Sequence, residues 1–153
     1  MKKVLFIGQA PPQIPNAKPF GRTRLYKWLE EAGISESKQN NFYFGALINI
    51  FPGKNKSGSG DRAPNPQEIE AGRAQLSALI KKIKPDIIVS VGILSARLAL
   101  QNLDLKLEDV VGKKFQADAY GLLKKEITII PIPHPSGASR WVWQAENNRN
   151  FFF

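Results

Sequence analysis

Two short apolar runs that break at once into rigid loops constrain this chain more than any other feature. Val4-Leu5-Phe6-Ile7 runs into Gly8-Gln9-Ala10-Pro11-Pro12-Gln13, and Ile127-Thr128-Ile129-Ile130-Pro131-Ile132 runs into Pro133-His134-Pro135-Ser136-Gly137. Short apolar runs closed by glycine or proline read as buried strands. A strand followed by a tight loop places N–H groups and polar side chains at the carboxyl edge of a parallel sheet, where open α/β folds keep their ligands. The two loops are therefore expected to face each other across one pocket.

The chain between them alternates strands and helices. A helix is expected from Thr23 to Ala32, with Leu25, Trp28, Leu29 and Ala32 on one face and Gly33 as its stop. Phe42 to Ile48 reads as a strand ending at Asn49, after a polar loop from Glu36 to Asn41. Phe51 to Pro64 turns to Gly, Ser, Lys, Asn and Asp, a long, mobile, basic loop carrying Lys54, Lys56 and Arg62. Asn65-Pro66-Gln67-Glu68 spells a capping box with proline at the first helical position, opening a helix to about Lys84. Gly72 within it lowers helix propensity and permits close approach to the sheet. Pro85 stops the helix, and Asp86 to Val91 is a third strand ending at Gly92. A short helix follows from about Leu94 to Gln101. Leu103 to Val111 reads as a turn packed on the core, and Gly112 and Gly121 bracket a short irregular strand or hairpin around Phe115 to Tyr120. A last helix is expected from Ser139 to Asn148. The pattern is an α/β chain: a three-layer α/β/α sandwich around a four-stranded parallel sheet. No domain boundary is visible, so residues 1–153 are expected to form one domain.

Composition narrows the chemistry. With no cysteine, thiolate-held iron–sulfur clusters, cysteine zinc sites and disulfides are excluded, and one histidine excludes a histidine-rich metal site. No metal or other cofactor is expected. Met1-Lys2-Lys3 and four apolar residues are too short for a signal peptide, and no apolar run reaches membrane-spanning length. An intracellular protein without a membrane partner is expected. Twenty-two basic against thirteen acidic residues give a formal charge of +9, which predicts attraction to nucleic acid or another anionic surface.

Individual residues then stand out. The Gly8 to Gln13 segment lacks the glycine spacing of a dinucleotide fingerprint and the Gly-Lys-Ser/Thr of a phosphate loop. His134, clamped by two prolines at a strand's carboxyl end, is a candidate for stabilising developing negative charge. Asn49 either bonds the backbone of the next turn or faces the site. Phe20, between Pro19 and Gly21, belongs to no helical stripe and needs another reason to be there. Trp141 and Trp143 lie two positions apart, and no site is built on them.

Taken together, these segments resemble the uracil-DNA glycosylase superfamily, and within it the iron–sulfur branch of thermophiles. That branch opens with a Gly-Glu-Ala-Pro-Gly loop, met here as Gly8-Gln9-Ala10-Pro11-Pro12. A Pro-Phe-Val-Gly-like segment is met as Pro19-Phe20-Gly21-Arg22 and Leu25. A strand-ending asparagine with a basic proline-containing loop is matched by Asn49, Phe51-Pro52 and Arg62-Ala63-Pro64. A Glu-bearing helix, a lysine–proline, a hydrophobic strand and a glycine are matched by Glu68, Lys84-Pro85, Ile87 to Val91 and Gly92. The final His-Pro-Ser is His134-Pro135-Ser136. The likeness runs in unbroken order over residues 4 to 149.

The resemblance implies a glycosylase that hydrolyses the N-glycosidic bond of uracil in DNA. A monofunctional mechanism is expected, because no lysine has a clear claim as a Schiff-base nucleophile. Phe20 would stack on the base, Asn49 would read its Watson–Crick edge, and His134 would stabilise the departing anion. Gly8 and the backbone of Gln9 and Ala10 would hold a pyrimidine oxygen, while Ser136 with Lys54, Lys56 and Arg62 would hold phosphates. Ser136-Gly137-Ala138-Ser139-Arg140 resembles the Ser-Gly-Leu-Ser loop of mismatch-specific glycosylases, with Ala138 where a leucine wedge would enter the duplex. The expected partner is uracil-containing DNA, single-stranded or mismatched in preference, bound by a monomer. The chain departs from the branch in having none of its four cluster cysteines. Ala10 stands where the best-known uracil-DNA glycosylases carry a water-activating aspartate. The alternatives are a non-catalytic nucleic-acid-binding module on the same fold, or an enzyme for another base such as hypoxanthine or a G·T mismatch.

Overall fold

The protein is described here from a computed structural model, covering residues 2–14, 16–21, 23–58 and 61–136. Four strands are parallel neighbours: β2 (Phe42–Ala46), β1 (Val4–Gly8), β3 (Ile87–Val91) and β5 (Ile127–Ile132), in that order across the sheet. The order follows from composition, because β1, β3 and almost all of β5 are buried while β2 at the edge is only half-buried.

The sheet is not the clean four-stranded parallel one expected. A fifth strand, β4 (Phe115–Ala117), lies antiparallel on the outer edge of β5, so the sheet is mixed and five-stranded. Its three residues pair Phe115 with Ile129 and Ala117 with Ile127, and Gln116 Nε2 donates to Thr128 Oγ1 at 2.7 Å. So short a strand leaves no alternation to read, and what makes it a strand is the free edge of β5.

Alternate residues of the strands feed two cores. Val4, Phe6, Ile87, Val89, Ile130 and Ile132 face α1 (Leu25–Glu31), which contributes Leu25, Trp28 and Leu29. Leu5, Ile7, Ile88 and Ile129 face α2 (Pro66–Ile83) and α3 (Ile93–Ala99), meeting Leu76, Ile80 and Ala99. The arrangement is therefore α/β/α-like. Gly33, at φ 81°, ends α1 as its position demands.

The capping box of α2 is present in both directions. Asn65 Oδ1 accepts from the Glu68 N–H at 2.8 Å, and Glu68 Oε1 accepts from the Asn65 N–H at 3.0 Å. Gly72 lies against β2's exit so closely that a Cβ there would collide with the Leu47 carbonyl oxygen. That contact sets how near α2 can lie to the sheet.

Two segments are more structured than their composition implies. Glu36–Asn41 forms a 3-10 helix, and within 103–111 lies α4 (Leu107–Val110), whose Val110 is buried with Leu105 and Ala96. The 53–62 segment closes on itself: Lys54 and Asp61 form an antiparallel bridge, and the Arg62 N–H donates to the Gly53 carbonyl at 2.8 Å. The expected helix from Ser139 to Asn148, with Trp141 and Trp143, lies outside the described residues. Among those described, no helix is long and apolar enough to cross a membrane.

Candidate active site

The site begins where β1 ends. The Gly8 carbonyl accepts from the Leu47 N–H at 3.0 Å, tying the exits of β1 and β2 together. A Cβ at Gly8 would lie 2.9 Å from Phe20 Cζ, so the absence of a side chain admits the Phe20 ring against the strand end. Phe20 itself has φ 55°, an unfavourable conformation for a bulky residue. Short local bonds hold it there: its carbonyl accepts from Thr23 Oγ1 at 2.6 Å and from the Thr23 N–H at 3.0 Å, while Tyr26 Oη donates to the Pro19 carbonyl at 2.7 Å. Strain held this way, in a loop at a sheet's carboxyl edge, marks a built position.

Phe20 rests on an aromatic ladder. Its ring centre lies 6.2 Å from that of Phe44, which in turn stacks on Phe6 at 5.3 Å and 20°. It also meets His134, with ring centres 6.1 Å apart and planes at 63°. The loops after β1 and after β5 do face each other, and these two rings are where they meet.

His134 is half-buried and its protonation is constrained. Nδ1 accepts from the Ser136 N–H at 3.1 Å, so the proton of the neutral ring sits on Nε2. Burial pushes its pKa below the ordinary histidine value, with the charge of Asp61 a smaller opposing influence. The result is a neutral imidazole whose Nε2–H is a fixed donor. Gly92, at φ 86°, supports the ring from the end of β3, where a Cβ would touch His134 Cβ at 3.7 Å and Cδ2 at 3.8 Å.

The His134 loop is tied from across the sheet's edge. The Arg24 N–H donates to the Pro135 carbonyl and Arg24 Nη2 to the Ser136 carbonyl, both at 2.9 Å. Sequence reasoning did not find Arg24, because nothing local marks a tether to a residue 112 positions away. It also passed over Asp61, whose signal was being the one acid among the bases of its loop.

The other expected residues divide. Gln9 and Ala10 follow Gly8 and are half-buried. Asn49 lies three residues beyond β2's end and is exposed, and its amide makes no hydrogen bond among the described residues, so it does not act there as a cap. Lys54 pairs with Asp61 at 3.0 Å. Arg62 grips Glu68 through Nη1 and Nη2 at 2.8 and 3.0 Å and donates from Nε to the Pro52 carbonyl. That grip, with the Asn65 N–H, lowers the Glu68 carboxyl to about 2. Lys56 is exposed and makes no ion pair among the described residues. Gly137, Ala138, Ser139, Arg140 and Arg22 lie outside them. The arrangement sets an aromatic ring at Phe20 beside one hydrogen-bond donor from a neutral imidazole.

Comparison with known proteins agrees in kind. The family model of the uracil DNA glycosylase superfamily matches residues 1–152. A type-4 uracil-DNA glycosylase of Archaeoglobus fulgidus is 25% identical over 142 residues, covering 88% of this chain and 65% of that protein. A type-4 uracil-DNA glycosylase of Saccharolobus solfataricus is 29% identical over 147 residues, covering 89% of this chain and 62% of that protein. The chain thus spans a little under two thirds of the length of these curated relatives. The iron–sulfur cluster of that branch needs thiolates, and these 153 residues hold none, so the residues present do not fit the group.

Proposed function

Because the chain belongs to the uracil DNA glycosylase superfamily, we propose that it is a DNA glycosylase hydrolysing the N-glycosidic bond of uracil in DNA. The observation that carries this is the forced tautomer of His134 beside the Phe20 ring. The base leaves the stack, at a cost of a few kcal/mol that is least for single-stranded or mismatched DNA, and enters the carboxyl edge of the sheet. There it stacks on Phe20. Asn49 donates from its amide nitrogen to uracil O4 and accepts from N3–H with its oxygen, while Gly8, Gln9 and Ala10 bound the other side.

Cleavage of the C1′–N1 bond sends its electron pair to uracil and leaves positive charge on the sugar. The Nε2–H of His134 meets the negative charge as it develops on the base oxygen, an interaction stronger in the transition state than in the ground state. A neutral imidazole suits the task, since burial already holds it in that form. Water then adds at C1′ and its proton balances the departing base, giving an abasic site and free uracil. Ala10 supplies no base for that water, so leaving-group stabilisation carries the rate. Lys56, Ser136 and the 137–140 segment position phosphates without reading sequence.

Ala10 also favours a second reading, a binding module without catalysis. One assay separates them: oligonucleotides carrying uracil, hypoxanthine or a G·T mismatch are incubated with the protein and then cleaved with alkali. Uracil strands are expected to break. His134→Ala should slow single-turnover cleavage by roughly 10²–10³-fold, the scale of losing one aimed donor, with the fold retained. Cleavage of none of the three substrates would leave the binding module as the reading.

A further inference from the structure

A cavity of about 300 Å³ lies between α2, α3 and the turn around Tyr120, and neither Phe20 nor His134 lines it. It is at the small end of ligand-pocket sizes. Leu47, Leu76 and Leu98 give it apolar walls, and Arg73, Arg97 and Gln101 give it polar ones.

The polar groups of its floor are already satisfied. Tyr120 Oη donates to Ser95 Oγ at 2.8 Å, and Ser95 Oγ donates to the Ile7 carbonyl at 2.7 Å. Burial raises the Tyr120 pKa, so the phenol stays neutral and contributes no charge. The Asp118 carboxylate, the acid nearest in sequence to Tyr120, is taken up by the N–H groups of Leu123 and Lys124 at 2.7 and 3.1 Å.

Each arginine is held by one arm. Arg73 Nη1 donates to the Tyr120 carbonyl at 3.1 Å, and Arg97 Nε donates to the Leu105 carbonyl at 2.9 Å. Neither bond neutralises the guanidinium, and both restrict where it can swing. The acid against Arg73 is Glu70, at 3.8 Å and mostly exposed, which is a weak competitor for a ligand anion. No ion pair engages Arg97 among the described residues. Two tethered cations on an apolar slot make a site with its ordering cost already met in part.

We infer that this cavity is a second ligand site, for a small oxyanion carrying an apolar or aromatic body, such as an aryl phosphate or an aryl carboxylate. The oxyanion lies between Arg73 and Arg97, and the body lies on Leu47, Leu76 and Leu98. This site is independent of the glycosylase reading, since it shares no residue with the Phe20–His134 pair.

The test is titration calorimetry of the whole chain with phenyl phosphate, benzoate, inorganic phosphate and benzyl alcohol as probes. Phenyl phosphate or benzoate should bind saturably with Kd at or below about 1 mM, a reasonable affinity for a ligand of this size. Arg73→Gln and Arg97→Gln should each weaken that binding about tenfold, as loss of a charge-assisted hydrogen bond predicts. Arg97→Lys should restore part of it. Leu98→Trp, which fills the slot and leaves both cations, should abolish binding of the aryl anions. The inference is overturned if neither aryl anion binds saturably. It is also overturned if inorganic phosphate binds as tightly as phenyl phosphate, if benzyl alcohol binds as tightly as either, or if a folded Arg→Gln pair retains wild-type affinity.

Discussion

Arg24 offers the sharpest test of how the His134 loop is held. Replacing it with methionine keeps an unbranched chain beside the Trp28 ring, which lies 5.5 Å from the guanidinium carbon, and removes the charged group. The contact that bears on the loop is Nη2 to the Ser136 carbonyl at 2.9 Å, a bond from a charged group worth about 1.5–3 kcal/mol. Ser136 is half-buried, so water replaces part of it and the lower end applies. The cation–π contact adds about 0.5–1 kcal/mol. The variant should therefore lose roughly 2–2.5 kcal/mol of stability. The backbone bond from the Arg24 N–H to the Pro135 carbonyl survives, so the loop is loosened and not released.

What loosens is the Ser136 N–H that sets the His134 tautomer. A ring free to take its proton on Nδ1 loses its Nε2–H donor for part of the time, and the expected result is a roughly tenfold slower chemical step. Single-turnover excision from a uracil oligonucleotide measures the rate, and thermal unfolding measures the stability. Arg24→Lys should recover part of the rate, because one donor remains on a more flexible stem. A stability loss of the expected size, with excision within twofold of wild type, would refute the reasoning and make Arg24 a structural residue only.

The remaining expectations follow from the same geometry. In the proposed binding mode, Asn49→Asp replaces the donor to uracil O4 with a carboxylate, at a cost of about 1–3 kcal/mol, or roughly 5- to 150-fold in rate. The uracil-to-cytosine excision ratio reads this directly, and an unchanged ratio in a folded protein removes Asn49 from base recognition. Lys56→Ala should reduce the slope of log affinity against log salt by about one, and Lys54→Ala by less, because Lys54 is paired with Asp61. Equal changes at both lysines would mean that this pair opens on binding. Glu68 titrates at about 2 when folded against 4.5 as a free carboxyl, so it contributes stability above pH 4.5 that is lost as pH falls toward 2. Glu68→Gln should flatten the stability-versus-pH curve in that window alone, and an unaltered acid limb would assign the loss to other carboxylates.

How much of this was legible in the residues depends on how far each interaction reaches. The four parallel strands were visible because each is a short apolar run closed by glycine, proline or asparagine. The capping box was visible because its two partners stand three positions apart. β4 was bracketed by its glycines but not counted in the sheet, since its three residues become a strand only on the edge of β5. The basic loop looked open because composition counts charges and not pairs. In the folded chain Lys54 spends its charge on Asp61 and Arg62 spends its charge on Glu68. The meeting of Phe20 with His134 was inferable from two strand ends. The tautomer was not, since it depends on where the Ser136 N–H points.

The order of the strands explains why that meeting needs a third element. β1 and β5 are not neighbours, because β3 lies between them, with Ile7 beside Ser90 and Ser90 beside Pro131. Strands two places apart are separated by roughly 10 Å. The rings of Phe20 and His134, carried by the loops after β1 and β5, nonetheless lie 6.1 Å apart. The two rings therefore reach toward each other across the end of β3. Gly92 stands at that point, with its N–H donating to the Ile132 carbonyl at 2.9 Å and the His134 ring against its bare Cα. Any other residue there would need φ near 86°, which L side chains rarely adopt, although its Cβ would make only ordinary van der Waals contact with His134. The glycine that closes the central strand thus does more than end it. It turns the chain from β3 into α3 without placing a side chain where the two loops meet.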